Sequence, residues 1–123
     1  MTARPTIRAL IIQPDNTYEI REIDQNLSGF QELVGGEYVE PYVTDHCILW
    51  VDEESKPKGL PMNELATYLW WNLDPDMESR DVLQGPIFVT GVSNEAMESD
   101  PVSDAVIDLF ERMERIYRET QEA

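Results

Sequence analysis

The sequence predicts an α+β domain: a mainly antiparallel sheet of about five strands with helices packed on one face, in the order β-β-α-β-β-α-β-α. Three observations carry the prediction. Short runs rich in β-branched or alternating apolar residues recur at 6–13, 18–23, 38–44, 47–51 and 87–90. Turn chemistry joins the first of these runs directly to the second, so they form a hairpin. Helical spacing of apolar residues is confined to three separate stretches, which rules out the regular strand–helix alternation of a doubly wound sheet. A chain of 123 residues is most simply one domain and can bury a core without staples.

Each element has its own reason. Residues 6–13, Thr-Ile-Arg-Ala-Leu-Ile-Ile-Gln, read as a strand, and Pro14, Asp15, Asn16 and Thr17 make a turn, since proline presets φ and Asp and Asn bond their own backbone. Tyr18, Ile20 and Ile23 then give a half-buried strand. Asn26 or Ser28 caps a short helix whose Leu27, Phe30, Leu33 and Val34 share one face, and Gly35-Gly36 ends it by supplying a left-handed conformation. In 38–44, Pro41 withdraws a ladder donor and marks an edge strand or a bulge. Cys47-Ile48-Leu49-Trp50-Val51 is nearly all apolar and reads as a central strand. After the polar turn 52–59, Leu65, Ala66, Leu69 and Trp70 define a second helix. Residues 72–80 form a loop, and Ile87-Phe88-Val89-Thr90 is the last strand.

The C-terminal helix, over 100–120, has Asp100 as N-cap and Pro101 at the first helical position. Val102, Val106, Leu109, Met113 and Ile116 recur at helical spacing, joined by Ala105, Phe110 and Tyr117. This stripe is wide enough to pack on a sheet. It also approaches a heptad seam, so a homodimer through this helix is the alternative to packing within the subunit.

Composition bounds the function. Twenty-five acidic residues against nine basic ones give a formal net charge of −16. Such a surface repels nucleic acid and anionic membrane, and favours basic protein surfaces, including proteins whose own ligand is DNA. Plain solubility or salt adaptation explains the same charge. A single cysteine, Cys47, forbids an intrachain disulfide and points to a cytoplasmic protein; residues 1–5 lack the apolar stretch of a signal peptide.

The succession of local motifs is more telling than any one of them. An apolar run enters the double glycine in Leu33-Val34-Gly35-Gly36. A strand enters the acidic turn Val51-Asp52-Glu53-Glu54. Gly59-Leu60-Pro61-Met62-Asn63 precedes a helix, and Asp81-Val82-Leu83-Gln84-Gly85 leads through 86–90 to Gly91. Over roughly residues 7–92 this order resembles the domain-of-unknown-function family 3846. The resemblance implies a small protein of phages, plasmids or actinobacteria and brings no activity with it. The C-terminal helix lies outside it and reads as an elaboration of this chain.

Candidate sites are few. His46 and Cys47 are adjacent, and strand neighbours point to opposite faces, so they do not make a nucleophile–base pair. Two N or S ligands are too few for structural zinc. Asp74, Asp76 and Glu78 match the first ligands of a calcium loop, but Ser79 and Gly85 stand where glycine and glutamate are required. No metal, cofactor or catalytic residue is therefore expected. Asn63 is an N-cap, or alternatively a ligand-binding residue at the same free amides. Trp71, beside a core Trp70, is a candidate partner anchor.

The leading expectation is a non-enzymatic acidic accessory protein that binds a host protein, in its sharpest form by DNA mimicry through Asp104, Asp108, Glu111 and Glu114. Arg112, Arg115 and Arg118 interrupt that face, whereas a mimic needs an unbroken band. The alternative is a small-ligand, nucleotide-like binder. That reading requires several of Arg8, Arg21, Lys56, Lys58 and Arg80 to meet in one cleft.

Overall fold

The computed structural model describes residues 6–93 and 98–122; the N-terminal segment 1–5 considered above lies outside them. Its elements are β1 (Thr6–Ile12), β2 (Tyr18–Asp24), α1 (Leu27–Val34), β3 (Val39–Val43), β4 (Ile48–Asp52), α2 (Glu64–Leu73), β5 (Ile87–Thr90) and α3 (Asp104–Glu122). The sheet has the order β2-β1-β5-β4-β3. All its pairings are antiparallel. The α+β class and the element order are those the sequence predicts.

The helices, however, do not share one face. In β1, Ile7, Ala9 and Ile11 point to one side of the sheet, where they meet Phe88 of β5 and Phe30, Leu33 and Val34 of α1. Leu10 and Ile12 point to the other side, toward Leu65, Leu69 and Trp70 of α2 and Val106 and Phe110 of α3. The correction has a simple cause: β1 is apolar at both parities, and a strand that buries both faces needs cover on both.

β3 is an edge strand, as Pro41 indicates, but the proline costs no ladder bond. The Glu53 amide donates to Tyr38 O and the Thr44 amide to Cys47 O. By the alternation of an antiparallel ladder, 38, 40, 42 and 44 bond toward β4, and the nitrogen of Pro41 faces outward. Asn26 caps α1 by accepting from the Gly29 amide at 2.6 Å. Gly35 closes α1 at φ 71°.

The last helix starts later than Asp100-Pro101 implies. The Asp100 N–H donates to Val92 O, its carbonyl accepts from Gly91 N, and the Val102 N–H donates to Arg8 O. With its backbone bonded sideways to the sheet, this segment is unavailable for helix. Ser103 caps instead, its hydroxyl accepting from the Val106 amide at 3.2 Å. Val106, Ile107 and Phe110 of α3 are buried, with Met113 and Tyr117 partly so. Most of the apolar stripe is thus used within the subunit, whereas Ile116 at its far end stays exposed.

Candidate functional site

The motifs that stand out in the sequence prove to hold the fold together. A Cβ placed on Gly36 would lie 2.5 Å from the Asp52 carboxylate, so glycine is needed for close approach. Asp52 is fully buried; its carboxylate accepts from the Glu54 amide at 2.9 Å and from Lys58 Nζ at 2.6 Å. The Asp52 bond raises the ammonium pKa of Lys58. Gly85, at φ 80°, packs against Leu60, and Gly91 lies against the Asp100 and Pro101 carbonyls.

Asn63 belongs to the same set. It is fully buried, its Oδ1 accepting from the Ala66 amide at 3.2 Å. Its Nδ2 donates to Ile12 O and to Gly85 O, each at 2.9 Å. The carboxamide is therefore engaged with the end of β1, the 85 turn and the first turn of α2. This is the capping arrangement, and a group so enclosed and bonded at both ends has a structural role.

His46 and Cys47 lie in the turn between β3 and β4, outside either strand, and still diverge. His46 is exposed, whereas Cys47 is buried and its thiol pKa is pushed up by that burial. His46 borders a cleft of about 330 Å³ between the end of α2 and the start of α3, lined by Asn72, Leu73, Ala105, Val106 and Leu109. Among the described residues, no group of three His, Cys, Asp or Glu side chains could hold a metal ion.

The structure scatters the cations of the nucleotide-binding alternative. Arg8 pairs with Asp104 at 3.0 Å, Arg21 with Glu19, Lys56 with Asp81 and Lys58 with Asp52. No two of the five named cations share any of the clefts beside His46, Ile11, Glu32, Asp108 or Tyr38. The acidic residues of α3 do not form an unbroken band either. Asp104 is the partner of Arg8, Glu111 accepts from Tyr18 Oη at 3.1 Å, and Glu114 pairs with Arg118. Asp108 shares a shallow cleft with Arg112 and Arg115. Trp71 is half-buried, and its Nε1 donates to Asp81 O at 2.9 Å. Held from below in this way, it offers only part of its ring.

A different surface combines an exposed aromatic with carboxylates that make no ion pair. Tyr38, 53% exposed, stands immediately before β3 over a shallow cleft of about 390 Å³ that it lines with Glu53 and Glu54. Its carbonyl accepts from the Glu53 amide at 2.8 Å, which fixes its backbone. Glu37, Glu53 and Glu54 are exposed, and none has an ion pair among the described residues. The nearby cation, Lys58, is ion-paired with buried Asp52 and interacts with Glu54 and Glu37 only at longer range. Sequence reasoning missed this group by reading 51–54 only as an acidic turn. The available signal was Tyr38, an aromatic directly after the Gly-Gly-Glu turn.

The fold and these surfaces define a small acidic α+β module whose most distinctive residues are structural. The chain belongs to the family described as Domain of unknown function (DUF3846), whose model matches residues 7–115. The match therefore takes in the first three turns of α3, which is family pattern and not an elaboration of this chain. No curated protein and no solved structure matches the chain. Among the described residues, no helix is long and apolar enough to cross a membrane.

Proposed function

We propose that this protein is a non-enzymatic accessory protein that binds a basic surface on a host protein, and that the contact is made by Tyr38 within the Glu37, Glu53 and Glu54 cluster. The observation that carries the reading is this juxtaposition: an exposed aromatic, fixed by its backbone, among three carboxylates without ion pairs. Tyrosine serves well as a hot spot because it brings large area and a polar tip with little entropy to lose. A surrounding of one charge sign steers a partner of the other sign toward it. A DNA-binding protein is one partner class with such a basic surface. The phage or mobile-element setting implied by the family resemblance suits a protein that occupies a host factor.

The test is a salt-resolved pull-down from lysate of the native host, using the wild-type chain and Tyr38→Ala side by side. A basic partner held at low salt by the wild type, released as salt rises, and bound about 30-fold more weakly by Y38A is the expected result. Capture that is equal for both chains, or that ignores salt, would sink the reading.

A further inference from the structure

The outer face of α3 is self-complementary. On a helix, residues 112, 115, 116, 119 and 122 are neighbours at i+3 and i+4 spacing, and all five are exposed here. Read toward the C-terminus they run Arg112, Arg115, Ile116, Glu119, Glu122: positive, apolar, negative. Ile116 is 60% exposed although it is a large aliphatic side chain. Neither Arg112 nor Arg115 has an ion pair among the described residues, whereas Arg118, on the flank of the helix, pairs with Glu114. Ile116 is the exposed end of the apolar stripe, and the rest of this face is separate from buried Val106, Ile107 and Phe110.

We infer that this face pairs with the same face of a second copy of the chain, in an antiparallel two-fold contact centred near Tyr117. A two-fold interface must be complementary to itself, because each residue meets in the partner what the partner's copy meets in it. The stripe satisfies that condition. Set antiparallel about its middle, Arg112 faces Glu122 of the other helix and Arg115 faces Glu119, while the two Ile116 side chains flank the axis. Asp108 falls beyond the end of the opposing helix and is not opposed by its like. A parallel arrangement would instead set each charge against itself, so the charge order selects the antiparallel form.

The overlap spans 112–122, about 16 Å of helix at ~1.5 Å per residue. A contact of that length is well below the ~800 Å² per partner of a standard stable interface, so the dimer is a weak one, populated at high concentration. The net charge of −16 opposes association at long range, and salt screens that repulsion more than it screens close pairs. The surface is separate from Tyr38, so each can fail without the other.

Sedimentation velocity over a concentration series up to ~1 mM at ~0.15 M salt tests the pairing. The wild type should show a monomer–dimer equilibrium. Ile116→Glu and Arg115→Glu should each raise the dissociation constant about tenfold or more, since each change acts twice in a two-fold contact. The double swap Arg115→Glu with Glu119→Arg keeps the net charge and restores the opposition in reverse, so it should dimerise like the wild type. Arg80→Glu, in an exposed loop, adds the same two negative charges as Arg115→Glu away from this face and should have little effect. A wild-type monomer throughout, a dimer indifferent to Arg115→Glu, or equal losses in Arg80→Glu and Arg115→Glu would each overturn the inference. Far-UV circular dichroism verifies that the variants keep the helix.

Discussion

Replacing Asn63 by alanine should destabilise the protein far more than the loss of one surface cap. The native carboxamide makes one bond to the Ala66 amide and two to the carbonyls of Ile12 and Gly85, all in a fully buried position. Losing an N-cap costs about 1 kcal/mol. Each buried hydrogen bond withdrawn adds about 1 kcal/mol. The expected loss is therefore about 3 kcal/mol, or a fall in Tm of roughly 10–15 °C for a domain of this size. Urea denaturation should show the midpoint shifted with the slope m unchanged. Two further variants separate the contributions. Serine keeps a capping oxygen without the two donors, so it should lose about 2 kcal/mol. Aspartate keeps the cap but sets a carboxylate oxygen against two carbonyls, so it should lose more than alanine. The stability order Asn, Ser, Ala, Asp follows. An alanine variant within about 1 kcal/mol of the wild type, or an aspartate variant more stable than alanine, would refute the reasoning.

Three shorter predictions test other parts of the structure. Gly36→Ala drives a Cβ into the Asp52 carboxylate and should cost about 2 kcal/mol; in a double-mutant cycle with Asp52→Ala, urea unfolding should show coupling of at least about 1 kcal/mol, and additivity would contradict the close approach. Burial, with Glu40 and Asp81 nearby, pushes the Tyr42 hydroxyl up from 10.0 to about 12, and Tyr18 and Tyr117 are also raised. Because the unfolded tyrosines lose their protons first, stability should be level below pH 10 and fall as pH rises from there toward 12; Tyr42→Phe should flatten that limb in urea unfolding measured at each pH. Cys47 is buried with its thiol pKa pushed up, so Ellman's reagent should leave it unmodified in the native protein and label it fully in denaturant, whereas rapid native labelling would place it at the surface.

The strands and the two short helices were legible because their signals are local. Alternation in 18–23, the apolar run 47–51 and the caps at Asn26 and Asn63 need no knowledge of the rest of the chain. What escaped was nonlocal. Asp100-Pro101 has the chemistry of a helix start, yet Gly91, Val92 and Arg8 claim the backbone around it from distant positions in sequence. Cover on both faces of the sheet was written into β1, whose apolar residues occupy both parities, but no helix announces which face it will cover. The candidate site followed the same division. The cap at Asn63 could be read locally, whereas the exposure of Tyr38 and the commitment of Lys58 to Asp52 depend on where β3 and β4 meet.

The central claim is that the Tyr38 edge, and not the acidic residues of α3, carries binding. The most direct test measures the affinity of the captured partner by titration calorimetry for two variants of matched charge. One carries Glu53→Gln and Glu54→Gln; the other carries Asp104→Asn and Asp108→Asn. The expected result is about a tenfold loss for the first and less than about a twofold change for the second. Full affinity in the first with a loss confined to the second would contradict it and return the contact to α3.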